Sequence, residues 1–149
     1  MFSNILVALD GSKVSQRALA EAVDLARLMH AKLQAVHVME AVTSAQSSLD
    51  QMDNSREMYQ LLEKEGNEVL EGAKKYCTDK GISLIPHLKQ GNAGTEIISL
   101  AEQEKCDLIV VASHGKSGFD RLFLGSVSSF VVKNNKGTTM VVRGQQPIG

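Results

Sequence analysis

Tryptophan is absent from this chain, and four phenylalanines and two tyrosines supply all its aromatic rings. So small a set gives no base-stacking platform for single-stranded nucleic acid. Charge of one sign is lacking too: 16 Lys and Arg stand against 17 Asp and Glu, a net of −1, with no basic stripe. Phosphate neutralisation needs clustered Lys and Arg, so no nucleic-acid partner is expected. The only cysteines, Cys77 and Cys106, form no C-x-x-C pair. That excludes a disulfide framework or a cysteine zinc site, and reads as two small buried thiols in a reducing compartment. No apolar stretch approaches the ~20 residues a membrane span requires. The opening MFSNILVALDGS has no basic segment and too short an apolar run for a signal peptide, so the expected location is cytoplasmic.

What is present is globular usage. The 149 residues are the length of one domain with its own core, 43% of them hydrophobic and 22% charged. Short dense apolar runs alternate with longer helical periods. Ile5 to Leu9 reads as a strand stopped by a turn at Asp10-Gly11. Val14, Ala18, Ala22, Leu25 and Met29 then follow a helical face, with Ser12 or Ser15 as the cap. Leu33 to Met39 is a second strand, and residues 40–53 read as a loop. A long amphipathic helix follows, with Met58, Leu61, Leu62, Val69, Ala73, Tyr76 and Cys77 on its apolar stripe and Gly81 at its end. Its charged residues read as a solvated face.

Ile82 to Leu88 is expected as a third strand, and Asn92 as the cap of a helix carrying Ile97, Ile98 and Ala101. Asp107 to Ala112 is the most hydrophobic run, as a central parallel strand buried on both faces should be. A loop over 113–125, a helix over Ser126 to Lys133 and a last strand over Thr138 to Arg143 complete the pattern. Strict β-α alternation predicts one α/β domain, residues 1–144, with a short tail at 145–149. Its five-stranded, mostly parallel sheet should carry helices on both faces. Ligands of such sheets bind beyond the carboxyl ends of the strands, where the strand order reverses.

Two strand ends carry more polar punctuation than a turn needs. One is Asp10-Gly11-Ser12; the other is the segment ASHGKSGFDRLFLGS over residues 112–126. Loops this long inside compact domains are uncommon and usually functional. Gly115, Gly118 and Gly125 let backbone approach an anion, and the N–H groups of Ser126 and Val127 open a helix. The Ser126 hydroxyl adds a donor and Lys116 a point charge. A glycine-rich loop alone is a weak signal, and spacing sharpens it.

Ala112-Ser113-His114-Gly115, nine further residues and Gly125-Ser126 resemble the ATP-binding signature of the universal stress protein family, G-x2-G-x9-G-[S/T]. NILVALDGS, VHV, DLIVVASHGKSG, LFLGSVSSFVV and the closing MVV resemble family segments in the same order. The resemblance implies a Rossmann-like fold of the adenine nucleotide α-hydrolase type and ATP as ligand, with Mg or Mn held only through the phosphates. It implies that Asp10 lies by the adenosine, that Val38 meets adenine through its backbone, and that Val111 and Ala112 lie against the nucleoside. Gly115, Gly125, Ser126 and Val127 would then hold the phosphates. The sequence departs from the signature once, at Ala112, where the family has its first motif glycine.

Rival readings stand beside this one. Gly115-Lys116-Ser117 resembles the end of a Walker A motif, but Val110 occupies the position of its first glycine. His114 has no second ligand at metal-binding spacing, so it is read as loop-ordering or ligand-adjacent. His37, within a strand, is read as a satisfied core histidine. An Asp before Gly also caps a following helix, a role compatible with ligand contact. No carboxylate-plus-nucleophile constellation stands near the loop, so no catalytic residue is assigned and any ATP hydrolysis or phosphotransfer is expected to be slow. Three functions remain: a nucleotide-binding stress-response or regulatory module, a slow enzyme, and a nucleotide-free dimeric scaffold. The last strand is short and apolar, and by the family's strand order it lies at a sheet edge. A homodimer through Thr138 to Arg143 is therefore expected.

Overall fold

A computed structural model describes residues 1–40, 55–114 and 124–144. They form β1 (Asn4–Ala8), α1 (Lys13–Met29), β2 (Lys32–Met39), α2 (Ser55–Asp79), β3 (Leu84–Gln90), α3 (Ala93–Gln103), β4 (Leu108–Ala112), α4 (Ser126–Asn134) and β5 (Thr138–Val142). Residues 41–53 of the expected first loop, 115–123 of the glycine-punctuated loop and the tail 145–149 lie outside the described residues. The five strands are ordered β3-β2-β1-β4-β5, and every neighbouring pair is parallel. The order therefore turns back between β1 and β4.

Period-two alternation divides the core into two layers. Ile5, Val7, Leu33, Ala35, Leu108 and Val110 face α1 and α2, while Leu6, Val36, Ile109 and Val111 face α3 and α4. This is why DLIVVA is apolar without interruption: successive residues of β4 enter opposite layers. Each of these leucine, isoleucine and valine side chains contributes about 1.5–3 kcal/mol on full burial.

Local chemistry sets the helix ends. Ser12, not Ser15, caps α1, its hydroxyl accepting from Ser15 N at 3.1 Å. Asn92 caps α3 through Thr95 N at 3.0 Å. At the end of α2, Gly81 takes φ +76°, Gly81 N donates to Thr78 O (3.0 Å) and Ile82 N to Cys77 O (2.8 Å). This paired closure needs a left-handed residue, and glycine adopts it without a Cβ clash.

Three expectations are corrected. The buried face of α1 is Ser15, Ala18, Leu19, Ala22, Val23 and Ala26, while Val14, Leu25 and Met29 are half-buried. Ser15 turns inward because its hydroxyl donates to Ser12 O at 3.0 Å. On α2, Met58 and Leu61 are exposed, Leu61 at 61%, while Leu70 is buried. A 25-residue helix is about 37 Å long and the eight residues of β2 reach only about 26 Å, so α2 overhangs the sheet. The third strand begins at Leu84, because the closure of α2 consumes Ile82.

One polar seam crosses the core near the amino ends of the strands. Gln34 is fully buried; its Nε2 donates to Asn4 Oδ1 at 2.9 Å, and its Oε1 lies 2.7 Å from His87 Nε2. Asn4 Nδ2 donates to Glu104 O at 2.8 Å. A carbonyl only accepts, so Asn4 must turn its amide nitrogen to it, Gln34 must then donate to Asn4, and His87 must carry its proton on Nε2. Cys77 and Cys106 are free thiols, and burial pushes both up to about 11, so neither is an activated nucleophile.

Candidate functional site

The reversal of strand order places the carboxyl ends of β1 and β4 beside one another. Ala8 pairs with Val36 and Val7 with Val110; carried forward, this register sets Asp10 level with Val38 and Ser113. Ala8, Val38, Val111 and Val127 all pack into the α3–α4 layer. Asp10, Val38, Val111, Ala112, Gly125, Ser126 and Val127 thus share one end of the sheet, with Val38, Val111 and Val127 in the α3–α4 layer and Ala112, next to Val111 on the strand, turned to the opposite face. Gly115 lies outside the described residues.

Asp10 is held by its own turn. Its Oδ1 accepts Ser12 N at 2.9 Å, and no described residue hydrogen-bonds its Oδ2. Gly11 takes φ +85°, which turns the chain from β1 into α1. Asp10 therefore orients the turn while Ser12 caps the helix, so the carboxylate is positioned without being consumed as a cap. Ala112 ends β4 half-buried, and its φ is not positive, so alanine fits the backbone where the family signature has glycine.

Gly125 starts α4 from ordinary extended backbone, φ −67° and ψ 168°, so what demands glycine there is space. A Cβ at 125 would stand 3.1 Å from His114 Cα and 3.3 Å from Ser113 O. The chain is pinned there from several sides. Gly125 N donates to Ser113 O at 2.6 Å, Ser128 Oγ donates to the same oxygen at 2.9 Å, and Ser113 N donates to Val142 O at 2.8 Å. The amide groups opening α4 have no carbonyl one turn earlier to receive them. Ser126 is exposed at that opening, and the cap residue before it, Gly125, has no side chain to receive an amide; Val127 is half-buried. Ser113 and Ser128 were not singled out in the sequence. Their only signal was small polar residues flanking the motif positions.

His114 lies beside this junction, with Ser113 Oγ 3.0 Å from its Nδ1 and its ring 3.4 Å from a Cβ built at Gly144. That is a loop-ordering environment. His37 is a core residue: buried against Gly66, it donates from Nδ1 to Leu9 O at 2.8 Å. Among the described residues no group of three or more His, Cys, Asp and Glu could hold a metal ion.

Fold and site together define a doubly wound α/β domain in which the start of a helix stands at the carboxyl end of β4, beside the point where the strand order reverses. The sequence profile of the universal stress protein family matches residues 1–143. The chain belongs to that family. It is 32% identical over 143 residues to universal stress protein MJ0531 of Methanocaldococcus jannaschii, covering 96% of this chain and 83% of that one. It is 35% identical over 154 residues to universal stress protein YxiE of Bacillus subtilis, covering 96% and 100%. The solved structure of MJ0577, also of M. jannaschii, superposes with a TM-score of 0.84 at 26% identity over 99% of both chains. The fold is shared too with a universal stress protein solved in complex with cAMP (TM-score 0.66, 24% identity, 95% and 97% covered). One from Archaeoglobus fulgidus in complex with dAMP gives 0.64 at 19% identity, with 94% and 97% covered.

Proposed function

We propose that this protein binds ATP beyond the carboxyl ends of β1, β2 and β4, and acts as a nucleotide-responsive module of the stress response rather than as an efficient enzyme. What supports the reading is that Asp10 follows the carboxyl end of β1 and the glycine-started α4 is hydrogen-bonded to the carboxyl end of β4, the two strands between which the order reverses. Adenosine would lie by Asp10, Val38, Val111 and Ala112. Gly115, Gly125, Ser126 and Val127 would meet the phosphates, with any Mg or Mn carried by the phosphates themselves. A helix start favours that placement, because unreceived amides and the helix dipole both attract negative charge. The adenine nucleotides bound in two solved family members agree with this ligand class. Bound nucleotide would order the loops and change the surface offered to partners. Residues 1–144 would form the whole module. No helix among the described residues is long and apolar enough to cross a membrane, and the cytoplasm is the proposed location.

Thermal unfolding with millimolar ATP and Mg, after removal of copurified nucleotide, tests the site. Saturation at a hundredfold excess over Kd adds about 2.7 kcal/mol, a rise of roughly 5–10 °C for a domain of this size. An unchanged melting temperature would overturn the reading in favour of a nucleotide-free scaffold, and rapid phosphate release would favour an enzyme.

Homodimerisation through β5 belongs to the same proposal. The two sheet edges differ: β3 carries Pro86, which lacks an N–H, and Lys89, whereas TTMVV in β5 carries neither proline nor charge. Proline and lysine blunt an edge against pairing, and the β5 edge has no such guard. Light scattering at micromolar concentration should give twice the 16.1 kDa chain mass. A monomer, or a dimer that survives Val141→Pro, would remove β5 as the interface.

A further inference from the structure

Hydrogen bonding between β1 and β2 continues one residue past the end of β1 and then changes character. Leu9 N donates to Val36 O at 2.9 Å, and in a parallel ladder the next bond would run from Val38 N to Leu9 O. Among the described residues no backbone N–H is donated to Leu9 O; the imidazole of His37 takes it, with Nδ1 at 2.8 Å. A carbonyl only accepts, so His37 carries its proton on Nδ1. This bond fixes the Leu9–Asp10 peptide where β4 no longer helps, because the β1–β4 register stops at Val7–Val110.

The imidazole is itself seated by a helix. His37 is buried, and Gly66 of α2 packs against its ring. A Cβ at 66 would stand 2.8 Å from His37 Cδ2 and 2.7 Å from Leu88 Cδ1. Glycine inside a helix is unfavourable relative to alanine, and here the close approach of the imidazole demands it. The turn beyond Leu9 is pinned as well. Ser15 Oγ lies 3.4 Å from Asp10 N, and Asp10 Oδ1 accepts Ser12 N at 2.9 Å. Contacts thus run unbroken from Gly66 through the His37 ring to the Leu9 carbonyl and the Asp10 turn.

We propose that His37 is the positioning residue of the nucleotide site. It holds the Leu9–Asp10 peptide so that the Asp10 carboxylate meets the nucleoside, and by taking Leu9 O it leaves the Val38 N–H to the ligand. Because Gly66 seats the imidazole, the position of α2 is transmitted to the same turn. The ligand part rests on the proposed ATP site; the hold on Asp10 does not.

Amide hydrogen exchange, followed by NMR on the protein without nucleotide, tests the hold on Asp10. His37→Leu removes the donor and should speed exchange of the Ser12 amide, which Asp10 Oδ1 protects, about tenfold or more. The Asn4 amide, bonded to Asp107 Oδ1 at the far end of β1, should change by less than about threefold. His37→Asn sets an amide nitrogen where Nδ1 stands and should bring Ser12 back to within about threefold of the wild type. If His37→Leu does not fold, Gly66→Ala is the second variant: it crowds the ring without removing the donor and should give the same selective loss at Ser12. In titrations with ATP, His37→Leu should weaken binding about tenfold or more, and His37→Asn should recover most of it. An unchanged Ser12 amide, equal acceleration at Ser12 and Asn4, no rescue by asparagine, or ATP affinity untouched by His37→Leu would each overturn the assignment. Should the wild type bind no ATP, then ATP is not the ligand of this site, and exchange at Ser12 still decides whether His37 holds the turn.

Discussion

Gly125→Val is expected to lower the unfolding temperature by roughly 4–10 °C and to abolish the ATP-dependent rise, the penalty being about 1–3 kcal/mol of overpacking. The clash is with backbone. Even a single Cβ at this position comes within 3.1 Å of His114 Cα and 3.3 Å of Ser113 O, and valine adds two methyl groups. A flexible side chain would swing aside, but Ser113 is tied through its N–H to Val142 and through its carbonyl to Gly125 and Ser128. The strain is relieved by moving the start of α4 away from the end of β4. That separates the two halves of the crevice and breaks the 2.6 Å Gly125–Ser113 hydrogen bond. Calorimetry with and without ATP measures both effects. Unchanged stability would show that the junction yields; a lost melting temperature with an intact ATP response would show that α4 does not hold the phosphates. Gly125→Ala should fall between, because its single methyl needs the neighbour to give only a few tenths of an ångström.

Gln34→Ala is the second large effect, a loss of about 3–5 kcal/mol, the sum of a cavity and of polar groups left without partners. Gln34 is fully buried, and its removal strands Asn4 Oδ1 and the Nε2 proton of His87 together. Gln34→Leu would fill the cavity but still strand both partners, so it should recover only part of the loss. The same seam gives stability a pH dependence. Burial holds His87 below its ordinary value of 6.5, Glu104 opposes this, and Lys89 and Lys32 add to it. The unfolded chain, titrating near the ordinary value, therefore takes up the proton first as pH falls. This contribution is present above pH 6.5 and is lost as pH falls toward the lower folded value. Chemical denaturation of the wild type between about pH 7 and 5 should show that decline, and His87→Gln should flatten it. A slope unchanged in His87→Gln would place the titration elsewhere.

Function and packing make different demands on the two ends of this sheet. At the amino ends, Gln34, Asn4 and His87 bond one another, and no buried side-chain nitrogen or oxygen among the described residues lacks a partner. At the carboxyl ends, Ser126 is exposed at the start of α4, and no described residue hydrogen-bonds Asp10 Oδ2. Saturated hydrogen bonding suits a scaffold, and unsatisfied groups beside a crevice suit a ligand.

The amino-acid sequence by itself determined the alternation of strands and helices, because apolar periods of two and of 3.6 are written in neighbouring residues. It determined that DLIVVA lies inside, that Asn92 caps α3 and that Gly81 closes α2, since each depends on residues a few positions apart. The spacing from Ala112 to Gly125-Ser126 marked the end of β4 and the start of α4. Tertiary structure alone decided the rest. Which face of α1 is buried turned on Ser15 bonding back to Ser12, and how far α2 is covered turned on the length of the strands beneath it. His30 and Lys105 adopt left-handed backbone at φ 52° and 58°, though neither residue type announces it. The sequence reads Gly125 as backbone open to an anion; its backbone is ordinary, and a side chain there is disfavoured by His114 and Ser113, more than ten positions earlier. Gln34, His87 and Asn4 meet only because strands distant in sequence lie side by side. Contacts between residues far apart in the chain have no period, and it is those contacts that shape a site.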